Sequence, residues 1–156
     1  GAVEVDESYF GRKPFGMPGT GMVGKVAVFG IRSRSTGHVW VTIVPGITSQ
    51  ANLPPIIRER VAPGATIYSD GFGAYAPLKA MGYIHRVVYH AHTFATNRHV
   101  HTNGIESFWR FTRHFLRARR TIGRKLLPGY LAEVVFRFNT RPLPKLRRAV
   151  RKLLHN

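Results

Sequence analysis

The chain has 156 residues, of which 44% are hydrophobic and 12% aromatic, which suits one globular domain and excludes a disordered chain. It carries 24 Lys and Arg against 7 Asp and Glu, a formal net charge of +17 that favours a polyanionic partner, most commonly nucleic acid. The absence of cysteine excludes disulfides and thiolate metal sites. Without a membrane-length apolar stretch or a visible signal peptide, we expect a cytoplasmic protein with no membrane partner.

The first part of the chain predicts an antiparallel meander of three strands. The strands are predicted over residues 2–7, 23–32 and 37–44. In the first strand Glu4 and Asp6 point to the side opposite the valines between them. The glycine- and proline-rich residues 10–24 predict a loop. Because a strand pattern begins directly after Gly1, we expect the chain to be a domain cut from a longer protein.

The middle of the chain predicts two further strands, each reached through a helix. The helices are predicted over 49–61 (with a true start near Pro54) and 72–81, and the strands over 65–68 and 83–89. A strand that follows a helix usually joins the same sheet in parallel. Asp70 should then lie at the carboxyl end of a strand, where open α/β sheets bind ligands. The alternative for Asp70 is a plain Asp-Gly turn.

A helix predicted over residues 101–120 combines an apolar stripe with a charged face. The stripe consists of Ile105, Phe108, Trp109, Thr112, Phe115 and Leu116. Glu106 precedes a row of arginines on one face, formed by Arg110, Arg113, Arg117 and Arg120. Asn103 suits the N-cap, so Glu106 has two interpretations, a capping-box residue and a catalytic carboxylate.

The remaining segments are basic. Residues 90–101 contain four histidines, but no third ligand type follows at a recognisable spacing, which favours a DNA-backbone loop or a mobile flap over a zinc site. A last helix is predicted over 124–140, where Glu133 can pair with Arg137. Residues 142–156 predict a basic amphipathic tail helix.

Four blocks of residues stand in an order that is typical of one enzyme family. They are VDESYFG at 5–11, YSDG at 68–71, HTNGIESFW at 101–109 and, in the last helix, Tyr130, Glu133, Phe136, Arg137, Asn139 and Arg141. Over about residues 3–141 the chain resembles the catalytic domain of bacterial insertion-sequence DDE transposases. The resemblance implies an α/β ribonuclease-H-like fold over 1–141, with residues 142–156 as a tail. Its mixed five-stranded sheet would join an antiparallel meander to parallel strands, flanked by helices.

The resemblance also implies a catalytic site. The family's two aspartates and its glutamate bind metal, and they map onto Asp6, Asp70 and Glu106. Two Mg²⁺ or Mn²⁺ ions about 3.5–4 Å apart activate an attacking water or 3′-hydroxyl and stabilise the leaving oxygen. Hard carboxylate oxygens suit such ions. The implied function is metal-dependent hydrolysis and strand transfer at transposon ends.

The implied partners are DNA ends and target DNA, in a bacterial, nucleoid-associated setting, with a homo-oligomer assembled on the DNA. The predicted DNA-binding residues are Arg12, Lys13, Arg110, Arg113, Arg117 and Arg120. Arg113 stands where the family commonly has Lys, and a solvated arginine face is the alternative for the row. A zinc-binding region that often precedes this domain is not in the sequence, so we expect weak or lost recognition of transposon ends.

Other functions stay open at this point. One is a catalytically inactive, DNA-binding remnant of a transposase. Another is a general nuclease of the same fold, which would differ in giving nicks rather than joined strands. The third is a basic RNA-binding or ribosomal-type protein.

Overall fold

The computed structural model describes residues 1–11, 24–46, 48–88, 101–117 and 123–141. They form one five-stranded sheet with helices on both faces. The strands are β1 (Ala2–Phe10), β2 (Val26–Ser33), β3 (Val39–Val44), β4 (Thr66–Ser69) and β5 (Ile84–Val87). The helices are α1 (Leu53–Arg60), α2 (Asn103–Arg117) and α3 (Leu127–Asn139), with a 3₁₀ helix at Gly73–Leu78.

The sheet has the order β3-β2-β1-β4-β5, with β1 at its centre. β1, β2 and β3 pair antiparallel, whereas β4 is parallel to both β1 and β5. The predicted meander and the predicted parallel addition of the later strands are therefore confirmed. Edge strand β3 is held at its start by Asn139 from the end of α3. The side-chain amide of Asn139 accepts a hydrogen bond from the Val39 N–H and donates one to the Val39 carbonyl, each at 2.8 Å.

The two faces of the sheet bury separate apolar cores. One core lies under α1 and the 3₁₀ helix, and its members include Val5, Phe29, Leu53, Ile57, Ile67, Tyr75 and Leu78. The other lies under α2 and α3, and its members include Phe10, Val28, Ile105, Phe108, Trp109, Leu131 and Val134. The predicted apolar stripe of α2 is confirmed, since its first four members are buried and its last two are partly buried.

Some element boundaries differ from the prediction. β1 continues to Phe10, so Asp6 lies in the middle of a strand. The segment predicted as a helix over 72–81 is a 3₁₀ helix with Pro77 inside it, and proline has no N–H to donate to an α-helical hydrogen bond. Asn103 is the first residue of α2 rather than its cap, and the Glu106 N–H bonds to the Thr102 carbonyl at 3.1 Å.

Several predicted segments lie outside the described residues: most of the loop at 10–24, the histidine-rich stretch up to residue 100 and the tail at 142–156. In the part of the chain that the structure describes, no helix has the length and apolarity needed to cross a bilayer.

Candidate active site

The sheet sets two of the predicted acids side by side. Asp6 lies in β1 and Asp70 directly follows β4. The parallel ladder ends with Glu4 opposite Tyr68. The same register, continued by two residues, makes Asp70 level with Asp6, on strands that in sheets run about 4.8 Å apart. Both side chains then belong to the face that α2 covers, because residues level with each other on paired strands share a face.

A glycine on β2 lets α2 approach this part of the sheet. Gly30 is the β2 partner of Asp6 and carries no side chain. A Cβ atom at Gly30 would lie 2.7 Å from the Cζ2 atom of Trp109 and 3.1 Å from Cδ1 of Ile105. The first turns of α2 therefore contact β2 beside Asp6, and Glu106 is the residue that follows Ile105.

The pKa of Asp6 reflects its burial and the charges of other acids. Burial raises the pKa of Asp6 to about 7, and the charge of Glu7 is the next largest cause. Asp70 and Glu106 raise the pKa of Asp6 as well, whereas the Glu7 N–H, 2.9 Å from Oδ1, lowers it. Asp6 therefore feels the charges of both other predicted acids and of Glu7, which lies on the opposite face of the sheet. We call Asp6, Glu7, Asp70 and Glu106 the acidic cluster.

Asp70 makes the contact of the turn that was its alternative, and Glu106 makes a side-chain contact at the start of α2. Asp70 Oδ1 accepts a hydrogen bond from the Phe72 N–H at 3.0 Å, which is the contact of an Asp-Gly turn. Glu106 Oε1 accepts a hydrogen bond from the Thr102 hydroxyl at 2.8 Å, at the start of α2. These hydrogen bonds orient the two carboxylates; they are accepted by Oδ1 of Asp70 and by Oε1 of Glu106.

The donor chemistry of Asp6, Asp70 and Glu106 fits a hard divalent cation. Their carboxylate oxygens are the ligand atoms that Mg²⁺ and Mn²⁺ prefer. Burial and the neighbouring negative charges raise the pKa of Asp6, and a bound cation would favour its ionised form. Over residues 1–11, 24–46, 48–88, 101–117 and 123–141, no three His, Asp or Glu side chains are already gathered in a ligand arrangement.

Of the predicted arginine row, Arg110, Arg113 and Arg117 are exposed on α2. Arg113 Nη1 donates a hydrogen bond to the Ser8 hydroxyl at 3.1 Å. Ser8 lies two residues after Asp6 on the same face of β1, so Arg113 borders the acidic cluster. The other three predicted DNA-binding residues lie outside the described residues: Arg12, Lys13 and Arg120.

The sequence analysis missed the roles of two further acids on β1. The Glu4 side chain is 1% exposed and accepts hydrogen bonds from Arg34 and from the backbone of α2. Glu7 accepts a hydrogen bond from the Tyr75 hydroxyl. A signal was present in the sequence, because three of the seven acids of a strongly basic chain stand within four residues of each other, at Glu4, Asp6 and Glu7.

The strand order and the flanking helices are those of a ribonuclease-H-like fold, which solved structures of other proteins share. The catalytic core domain of BIV integrase superposes with a TM-score of 0.56 at 11% identity, covering 91% of this chain and 85% of that one. A chain of the simian T-cell lymphotropic virus intasome, solved with a PP2A regulatory subunit, gives 0.58 at 14% identity and covers 91% of this chain and 49% of that one. At such identities the likeness establishes the fold.

The sequence comparisons identify the family. Residues 1–139 match the ISXO2-like transposase domain, and the chain belongs to that family. An "uncharacterized transposase-like protein" of Haemophilus influenzae is 37% identical over 101 residues, covering 65% of this chain and 80% of that protein. An "uncharacterized protein in transposable element ISH50" of Halobacterium salinarum is 30% identical over 114 residues, covering 72% of this chain and 38% of that protein.

Proposed function

We propose that this domain is the catalytic part of a DNA transposase, which cuts DNA at element ends and joins the ends to target DNA. The observation that carries the proposal is the acidic cluster around Asp6. In a chain of net charge +17 with only 7 acids, Asp6 on the central strand is level with Asp70 and feels the charges of Glu7, Asp70 and Glu106. Burial, and after it the charges of these acids, raises the pKa of Asp6 to about 7, an energetic cost that is typical of functional sites.

In this proposal Asp6, Asp70 and Glu106 hold two Mg²⁺ or Mn²⁺ ions. The bound ions would supply an activated oxygen nucleophile and charge stabilisation for the leaving oxygen of a phosphodiester. The chain itself supplies rigid placement, since Asp6 and Asp70 are fixed by adjacent strands and Glu106 by the first turn of α2.

The exposed arginines of α2 support DNA as the substrate. Arg113 lies at the edge of the acidic cluster through its contact with Ser8, and Arg110 and Arg117 continue the positive face along the helix. Guanidinium groups bind phosphate oxygens with paired hydrogen bonds and compensate for the negative charge of the substrate beside the acids. We extend the proposal to a homo-oligomer on DNA, because joining two element ends requires two active sites in one assembly.

The test compares single carboxamide variants of the acidic cluster with a surface control. Asp70→Asn and Glu106→Gln should abolish nicking and strand transfer of labelled duplex DNA in Mg²⁺ and in Mn²⁺, while the affinity for DNA is kept. Glu59→Gln is the matched control, because Glu59 is 69% exposed beside Arg60 on the opposite side of the sheet. Equal activity in all variants would refute the assignment. DNA binding without cleavage in the wild type would leave a DNA-binding remnant, and nicks without joined strands would indicate a nuclease.

A further inference from the structure

Two other acids of β1 flank Asp6, and both contact the segments that carry the remaining cluster members. We propose that Glu4 and Glu7 are positioning residues: Glu4 fixes the start of α2 and so Glu106, and Glu7 fixes the segment that follows Asp70. The inference rests on the proposed function of Asp6, Asp70 and Glu106 as metal ligands. It assigns separate tasks to the three acids of one strand.

Glu4 is bound directly to the start of α2. Its carboxylate is 1% exposed, and Oε2 accepts a hydrogen bond from the Ile105 N–H at 2.8 Å. This N–H belongs to the first turn of the helix, where amides have no partner within the helix itself. The negative charge also suits the positive end of the helix dipole. Glu4 therefore caps α2 from the strand that carries Asp6, and it does so one residue before Glu106.

The Glu4 carboxylate lies close against the start of α2. A Cβ atom at Gly104 would lie 2.6 Å from Glu4 Oε2 and 2.2 Å from Nη1 of Arg32. A side chain at position 104 would therefore displace the ends of both charged side chains from the positions in which they contact the helix start.

An arginine pair keeps the Glu4 carboxylate in this place. Glu4 Oε1 accepts a hydrogen bond from Arg34 Nε at 3.1 Å, and Nη1 of Arg32 lies 3.6 Å away. Arg34 also donates to the carbonyl oxygen of His101 at 2.8 Å, and its guanidinium lies 3.8 Å from the ring centre of Tyr68. Arg34 therefore connects Glu4 with the chain that enters α2 and with β4, two residues before Asp70.

Glu7 makes the corresponding contact on the opposite face of the sheet. It accepts a hydrogen bond from the hydroxyl of Tyr75, which is 0% exposed in the 3₁₀ helix after Asp70. Burial, followed by the charge of Glu7, holds the pKa of Tyr75 well above its usual range, so the phenol stays a donor. The turn at Asp70 is therefore held on both sides. The residues before it pair with β1 as strand β4, and the 3₁₀ helix after it is bound to Glu7 through the Tyr75 hydroxyl.

The test uses two conservative substitutions, each with a matched control in the same chain. Tyr75→Phe removes only the hydroxyl that binds Glu7. Tyr83→Phe removes the hydroxyl of another buried tyrosine in the same core, which donates to the Val61 carbonyl at 3.0 Å. Glu4→Gln removes the charge that Arg34 binds, whereas Glu133→Gln removes the same type of contact, to Arg137 Nε at 2.8 Å, at the surface of α3.

The readout is Mn²⁺ binding to the DNA-free protein, followed by electron paramagnetic resonance, together with thermal unfolding. Positioning groups behind metal ligands typically change metal affinity by about 10–100-fold, so Tyr75→Phe and Glu4→Gln should each weaken Mn²⁺ binding by about tenfold. Tyr83→Phe and Glu133→Gln should leave Mn²⁺ affinity unchanged, even if Tyr83→Phe lowers the melting temperature.

The inference would be overturned if Tyr75→Phe and Glu4→Gln melt at lower temperatures but bind Mn²⁺ with wild-type affinity, because the contacts would then serve stability alone. If Glu4→Gln does not fold, Tyr75→Phe decides. A wild-type protein that binds no Mn²⁺ would refute the proposed function and the inference with it. Wild-type binding that neither variant weakens would refute the inference only.

Discussion

Replacing Asp6 by Asn should abolish catalysis and yet stabilise the metal-free protein at alkaline pH. The pKa of Asp6 is about 7 in the folded state against an ordinary value of 3.8. Between these values the folded state binds more protons than the unfolded state. The contribution of Asp6 to the free energy of unfolding is therefore most favourable below about pH 3.8, and it declines as the pH rises to about 7.

The size of this effect follows from the two pKa values. The difference between about 7 and 3.8 corresponds to about 4 kcal/mol of unfolding free energy, at about 1.4 kcal/mol for each pH unit. Because Asp6 is partly exposed and solvent screens its neighbours, we expect about half of that, or about 2 kcal/mol, at pH 8. For a domain of this length 1 kcal/mol shifts the melting temperature by about 2–4 °C, so Asp6→Asn should melt about 4–8 °C higher than the wild type.

The assay is thermal unfolding in EDTA at about pH 4 and about pH 8, followed by a Mg²⁺ titration at the higher pH. The gain from Asp6→Asn should be largest at pH 8 and much smaller at pH 4, where the wild-type carboxyl is protonated in the folded state and is close to its ordinary pKa of 3.8 in the unfolded state. Mg²⁺ should raise the melting temperature of the wild type and leave the variant unchanged. Glu59→Gln is the control and should show neither effect. A variant that is destabilised equally at both pH values would refute the raised pKa of Asp6.

Further predictions concern α2 and the acidity of the site. At subsaturating Mn²⁺ the rate of strand transfer should rise with pH through about 7, because protons compete with the metal for Asp6; a rate that falls over this range would contradict the assignment. Gly30→Ala should lower the urea midpoint, equivalent to about 1–3 kcal/mol, since its Cβ overlaps the Trp109 ring; an unchanged midpoint would argue against this packing. Arg113→Gln should weaken duplex binding and reduce the slope of log affinity against log salt by about 1. The control is Arg58→Gln, on α1 across the sheet, which should change neither quantity. Equal slopes in both variants would exclude a phosphate contact of Arg113.

Much of the architecture could be predicted from local patterns. Alternation along β1 set Glu4 and Asp6 on one face, and the helix-then-strand order predicted that β4 runs parallel to β1. Helical spacing identified the buried stripe of α2. The roles of Asp6, Asp70 and Glu106 as ligands came from the resemblance to a family, and they stay predictions.

The positioning contacts could not be predicted, because they join residues far apart in the chain. Alternation assigns Glu4 to a face but does not reveal that α2 and two arginines cover it so completely. The contact of Glu7 with Tyr75 spans 68 residues, and neither residue carries a local signal for the other. The sequence predicts a helix over 72–81 but not its 3₁₀ form, in which Pro77 lies inside the helix.

The amide of Asn139 affects how the domain behaves towards other chains. The outer edge of a terminal strand offers unpaired N–H and C=O groups, which are a template for aggregation and for strand exchange. At Val39 the Asn139 side chain occupies one donor and one acceptor of β3, as a neighbouring strand would. A strand of another chain could therefore pair with β3 at Val39 only by displacing this side chain.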